Sequence, residues 1–274
     1  MPPHNMHLGQ IGGTNESGRT TMSRSETDDS VSYFDDVAES YAAWTASNAK
    51  FRERLRCFGD LIQRCREVSP TDLALDLGCG NGELTFATRR AGFRVVGMDG
   101  SKEMLQRARA AASYTTQDVA FREERLPLGS KVVAEFRGSV GLIVASSVIE
   151  YLDDDVLFLS QCQEMLAPGG HALVSFANAA SPRRRVERLL GARGPFRGTI
   201  VEVQRRQHDL EQVRSLAHES ALDMESVAYF GSSVPGLAGR VTRKRGARIA
   251  PLILVCFQRH GRVTADGRAS SLGA

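Results

Sequence analysis

Residues 74 to 86 read ALDLGCGNGELTF, with three glycines at alternate positions between an apolar run and a helix start. Glycine loses more conformational freedom on ordering than any other residue, so Gly78, Gly80 and Gly82 need a physical reason. One reason is a tight strand-to-helix turn. The other is a backbone that must come very close to a bound ligand. Either way, the stretch demands strand, sharp turn and helix in immediate succession.

The rest of the chain repeats that alternation. Leu73 to Leu77 reads as a buried strand, and the helix after the turn runs from about Glu83 to a stop at Gly92. FRVVGMD at 93–99 is a second strand, and Ser101 can cap the helix KEMLQRARAAA. VAF at 119–121, GLIVAS at 141–146 and HALVSFA at 171–177 follow as strands, and DDDVLFLSQCQEML supplies a helix before the PGG at 168–170. Ser181, Pro182 and Gly191 bracket a short helix by cap, first-turn proline and stop. Leu210, Val213, Leu216, Ala217 and Ala221 mark another helix. Upstream, Phe51, Leu55, Phe58, Ile62 and Cys65 form one helical stripe between Asn48 and Val68. Strands alternating with helices predict an α/β fold, a doubly wound and mostly parallel sheet covered on both faces. The last two β-rich segments, ESVAYF and PLILVCF, have no full crossover helix between them. They suggest a hairpin, hence a seven-stranded sheet whose last strand is antiparallel.

Composition narrows the class further. Residues 1–30 are rich in Gly, Ser and Thr with almost no large apolar residues, and residues 261–274 read the same way. Both are expected to be disordered tails flanking a single domain over 31–260. No apolar run approaches the roughly 18 to 20 residues of a membrane span. Cys57, Cys65, Cys79, Cys162 and Cys256 are scattered without a CxxC pair. That predicts reduced thiols in a cytoplasmic protein and no metal site. With 35 basic against 32 acidic residues, the formal charge of +3 is too small to argue for nucleic acid as the main partner.

In a doubly wound sheet, ligands bind beyond the carboxyl ends of the strands, near the first strand–helix turn. The glycines therefore sit where a nucleoside-containing ligand would lie. Asp76 ends the first strand and Asp99 the second, where a carboxylate can accept from both ribose hydroxyls. The dinucleotide fingerprint is GxGxxG, whereas this chain has GxGxG with Glu83 in the place of the third glycine. A phosphate at a helix start would be poorly served by Asp76 and Glu83 on either side. Those carboxylates suit a ligand with an ammonium and a sulfonium, which favours S-adenosylmethionine over NAD or ATP.

LDLGCGNG followed by VVGMDGS, then IVASSVIEYLDD and LAPGGHALVSFAN, resembles the class I S-adenosylmethionine-dependent methyltransferases. YFDDVAESYAAW is similar to the lid segment of their small-molecule branch, the quinone-biosynthesis and natural-product enzymes. The resemblance spans residues 33 to 177 and implies S-adenosylmethionine as the cofactor. It implies that Gly78, Gly80 and Gly82 approach the methionine part, with Asp76 under its amino group. It further implies Asp99 on the ribose, Gly100 and Met104 flanking the adenosine, and Ser146 facing the methionine portion. Tyr33, Tyr41 and Trp44 would close over the sulfonium, where aromatic faces suit a cation; ordinary helix packing is the alternative for each. An acidic residue contacting the adenine amino group would be Glu123 or Glu124, in FREERLP. The chain departs from the family at Val140 and Gly141, where an aromatic–Asp pair is common, and GSKVVAEFRGS before them reads as a small insertion.

Methyl transfer is an in-line displacement governed by alignment, and a general base is needed only where the acceptor must lose a proton. Glu150, Tyr151, His208 and Asp209 are the candidates, and Tyr151 stands where relatives often carry a His. The expected acceptor is a small molecule: a secondary metabolite, quinone-like or lipid-like. Arg183, Arg184, Arg185, Arg188, Arg193, Arg197, Arg205 and Arg206 face only Glu187 and Glu202 in their stretch, and GRVTRKRGAR adds five basic residues. Such runs are either solvated faces or marks of an anionic acceptor, an acidic carrier or an anionic membrane surface. SSVPGLAG at 232–239 could shape an apolar acceptor pocket. RNA is disfavoured, because no aromatic residues interleave with the arginines. RNA or protein methylation, and a non-catalytic binding subunit, are the competing readings.

Overall fold

The computed structural model describes residues 26–112, 118–190, 203–231 and 250–259. Two helices, α1 (Glu26–Ser47) and α2 (Ala49–Val68), precede an alternation that begins with β1 (Leu73–Leu77), α3 (Glu83–Arg90) and β2 (Arg94–Asp99). It continues through α4 (Lys102–Ala112), β3 (Val119–Glu123), α5 (Ser130–Phe136), β4 (Val140–Ala145), α6 (Asp155–Met165) and β5 (Leu166–Ala177). A 3-10 turn at Ile149–Tyr151 follows β4, and α7 (Pro182–Leu190), α8 (Leu210–Glu219), β6 (Leu222–Phe230) and β7 (Leu252–Arg259) complete the order.

The seven strands lie in the order β3-β2-β1-β4-β5-β7-β6. β1 to β5 are parallel, and β7 is antiparallel to both β5 and β6, as the missing crossover helix predicts. Because β7 reverses direction, β6 runs the same way as β5. The end of β6 and the start of β7 therefore open on the same edge of the sheet as the carboxyl ends of the parallel strands. The order switches between β1 and β4, and that is where a doubly wound sheet leaves a crevice.

Side chains alternate across the sheet with period two. Ala74, Leu142 and Val144 pack on one face with Phe58, Ile62 and Cys65 of α2. Leu75, Leu77, Ile143 and Ala145 pack on the other with Phe158, Leu159 and Cys162 of α6. Every residue of β4 is buried, as a central strand covered on both faces requires.

Three features differ from expectation. α1 starts at Glu26, ahead of residue 31, and Ser30 is already buried. The stretch read as an insertion carries α5, whose Val133 and Phe136 reach the core; the helix is too short for its i, i+3 spacing to stand out. β5 begins at Leu166 and takes in the PGG, since Gly170 runs against the β4 backbone where a Cβ would lie 2.8 Å from the Val140 carbonyl oxygen.

Candidate functional site

The glycine turn follows β1 in left-handed backbone, with φ of +71° at Gly78, +53° at Gly80 and +88° at Gly82. The Gly78 and Cys79 N–H groups both donate to the Met98 carbonyl, tying the turn to β2 at 2.8 and 3.0 Å. A Cβ on Gly78 would meet Val148 Cγ2 at 2.3 Å, so this position tolerates no side chain. A Cβ on Gly80 would meet nothing within 4 Å. Gly80 faces open space, and that space is a cavity of about 420 Å³.

Asp99 lies on the cavity wall and orders the two turns around it. Its Oδ2 accepts from the Gly80 N–H and its Oδ1 from the Ser101 N–H, both at 2.8 Å. Each oxygen keeps a further lone pair for a hydroxyl donor. Burial raises the Asp99 pKa and those backbone donors pull it down. Gly100, Met104 and Ser146 also line the cavity, and Ser146 Oγ is buried with no hydrogen-bond partner. Ser101 caps α4 as its sequence predicts, its Oγ accepting from the Met104 N–H at 3.1 Å.

Asp76 is placed behind the turn rather than on the cavity wall. It is 1% exposed, its Oδ2 accepts from the Thr85 hydroxyl at 2.6 Å, and burial pushes its pKa up to about 7. Gly82 begins α3. Glu123 pairs with Lys102 at 3.7 Å and Glu124 with Arg122 at 3.0 Å, and neither lines the cavity, whereas Arg125 and Leu126 do.

α1 lies over this edge of the sheet. Asp35 Oδ1 accepts from Ser101 Oγ at 2.6 Å, and Thr45 Oγ1 donates to Glu83 Oε1 at 2.9 Å. Val31 rests on Gly100, where a Cβ would come within 2.8 Å of Val31 Cγ2. Tyr41 lines the cavity and Tyr33 does not; the side chain of Trp44 lies outside the described residues. Sequence reasoning missed Phe34, which lines the cavity and meets the rings of Tyr41 and Tyr151 edge-on. The available signal was its spacing, two turns before Tyr41 on one helix face.

Among the catalytic candidates, Tyr151 lines the cavity and its hydroxyl accepts from Gln204 Nε2 at 3.4 Å. Burial raises its pKa well above 10, so the phenol is a hydrogen-bond donor at neutral pH, not a base. Glu150 is 1% exposed beside it, with both carboxyl oxygens unpartnered and its pKa raised by burial. His208 is buried off the cavity wall. Its Nε2 lies 2.8 Å from Asp155 Oδ2 and its ring edges onto Phe176, which pins residues 203–209 to the end of β5. Lys50, Arg54 and Gln204 on the wall were unforeseen, whereas Arg183 and Arg184, also on it, belong to the arginine run that the sequence singles out. Arg193, Arg197, SSVPGLAG and GRVTRKRGAR lie outside the described residues.

A family model described as a methyltransferase domain matches residues 75–172, the glycine turn through the start of β5. A trans-aconitate 2-methyltransferase from Methylobacterium radiotolerans is 34% identical over 155 residues, 54% of this chain and 54% of that protein. A ubiquinone biosynthesis O-methyltransferase from Sinorhizobium fredii is 30% identical over 179 residues, 60% of this chain and 67% of that protein. The chain belongs to the class I S-adenosylmethionine-dependent methyltransferases. The chain spans about half the length of the first of those relatives. Its fold is similar to that of a magnesium protoporphyrin IX methyltransferase from Synechocystis PCC 6803 with bound SAH, at a TM-score of 0.60 and 13% identity over 85% of this chain and 99% of that one.

The residues present fit the cofactor that the family implies. Gly80 leaves open floor, Asp99 has lone pairs to spare for a diol, and Ser146 Oγ is a buried polar atom that lacks a partner. Gly78, Gly80, Asp99, Gly100, Met104 and Ser146 would hold S-adenosylmethionine, with Tyr41 and Phe34 above.

Proposed function

We propose that the chain transfers a methyl group to a small molecule bound in the same cavity, between Asp99 at one end and Tyr151 at the other. The observation that carries this reading is the cavity itself, which runs continuously from the glycine turn to Tyr151, Gln204 and Pro251. S-adenosylmethionine supplies an electrophilic methyl group on a sulfonium. The protein's own work is alignment and exclusion of water, which can account for much of a methyl-transfer rate. Asp99 and the glycine turn fix one reactant. Tyr151, kept protonated, donates a hydrogen bond that orients the other. Glu150 lies buried directly behind Tyr151 and off the cavity wall, so a proton that the acceptor loses does not pass to it directly. Phe34 and Tyr41 close the top and keep the site dry. The names of the relatives, which cite trans-aconitate and ubiquinone biosynthesis, support a small-molecule acceptor. Scattered free cysteines support a cytoplasmic setting.

Isothermal titration with S-adenosylhomocysteine, beside an Asp99→Ala variant, tests the reading. Micromolar binding that disappears in the variant is expected. A folded wild-type chain that binds nothing would overturn it.

A further inference from the structure

The end of the cavity away from Asp99 is walled by cations from two helices distant in sequence. Lys50 and Arg54 come from the first turns of α2, and Arg183 and Arg184 from the first turn of α7. Their neutralisation is incomplete. Glu187, fully buried, is shared by two guanidiniums, Arg183 Nε at 2.7 Å and Arg184 Nη1 at 2.8 Å. Arg184 Nη1 is also held by Gln204 Oε1 at 2.7 Å. Among the described residues no carboxylate lies within ion-pair distance of Lys50 or Arg54. Arg54 stands half-buried over the Phe51 ring, 5.4 Å from its centre, which limits where its guanidinium can turn. Burial, and after it the nearby charge of Arg183, lower the pKa of Lys50, with Glu187 and Glu53 working against them.

Four cations therefore surround a space that one satisfied carboxylate closes on one side. Glu150 lies behind Arg54 and Arg184, but burial opposes its ionisation. Like charges held together around a solvent-accessible void repel, and an anion entering the void relieves that repulsion while gaining charge-assisted hydrogen bonds. Phe34, Phe51, Pro251 and Leu252 supply apolar wall at this end. It suits a molecule with an apolar body and a charged head.

We propose that the methyl acceptor is an anion with an apolar body, its carboxylate or phosphate head held by Lys50, Arg54 and Arg183. This rests on reading the cavity as a methyl-transfer site. It makes the acceptor's charge, rather than its ring or chain, the feature that the protein selects.

The probes are 2-naphthoate, 2-naphthyl phosphate and the neutral 2-naphthamide, titrated into the full chain with and without saturating S-adenosylhomocysteine. At least one anion should bind about tenfold or more tightly than the amide, and the preferred head distinguishes a carboxylic from a phosphorylated acceptor. Arg54→Gln and Lys50→Gln should each remove about tenfold of that preference. Arg185→Gln, an exposed arginine of α7 off the cavity wall, should remove none. Circular dichroism and S-adenosylhomocysteine affinity report whether each variant is folded. An amide that binds as well as the acids would overturn the proposal, as would equal losses in Arg54→Gln and Arg185→Gln. Failure of S-adenosylhomocysteine to bind would strike the methyl-transfer reading instead, while the acid–amide contrast in the unliganded chain still decides the anion site.

Discussion

Asp76 shows what the site costs before any ligand arrives. Burial, with added repulsion from Asp99 and Glu83, raises its pKa from 3.8 to about 7, and the Thr85 hydroxyl and backbone N–H work against that. An acid whose pKa is raised by folding binds its proton more tightly in the native state. Its contribution to stability is therefore complete below about pH 4 and lost as pH rises through about 7. Asp76→Asn removes this dependence, so the melting temperature of the variant should pull ahead of wild type as pH climbs from 5 to 8. Thermal melts of both chains across that range check it. Asp76 itself was legible in the sequence because it closes an apolar strand beside a glycine turn. Its place behind the turn was not, since that depends on how Thr85 of the next helix reaches back.

At the scale of elements, local signals carried the fold. The stripe of α2, the Ser101 cap and the alternation of β1 and β4 are each written within a few residues of sequence. α5 escaped notice because a helix this short shows barely two buried positions. Phe34 lines the cavity and its neighbour Tyr33 does not, because helix phase decides which ring of α1 turns inward. The wall of Lys50, Arg54, Arg183 and Arg184 was illegible for a different reason. The arginine cluster was plain, but which members face inward depends on α2 and α7 meeting across the sheet edge. One element links this wall to the rest: the segment that carries Gln204 is held at His208 and then at the start of α8. There Asp209 Oδ1 accepts from the Gln212 N–H and Gln212 Oε1 from the Asp209 N–H, both at 2.9 Å. Asp209→Ala should lower stability by about 1 kcal/mol, measured by urea denaturation, and leave S-adenosylhomocysteine affinity unchanged.

Over the whole molecule, the reversal of strand order between β1 and β4 sets where ligands lie, and the antiparallel β7 brings Gly231 and Pro251 to the same edge. Asp99 and the cation wall thus belong to one continuous space, although their residues are spread along the chain from Lys50 to Arg184. The roof of that space is α1, fastened by Asp35 to Ser101 and by Thr45 to Glu83, on the two turns that cradle the cofactor. A ligand lying on Asp99 and Gly80 lies beneath this helix, so each exchange of spent for fresh cofactor must work against both fastenings. Turnover should then be paced by escape rather than by bond-making. The maximal rate should fall as sucrose thickens the solvent, and Asp35→Ala, which frees one fastening, should blunt that fall.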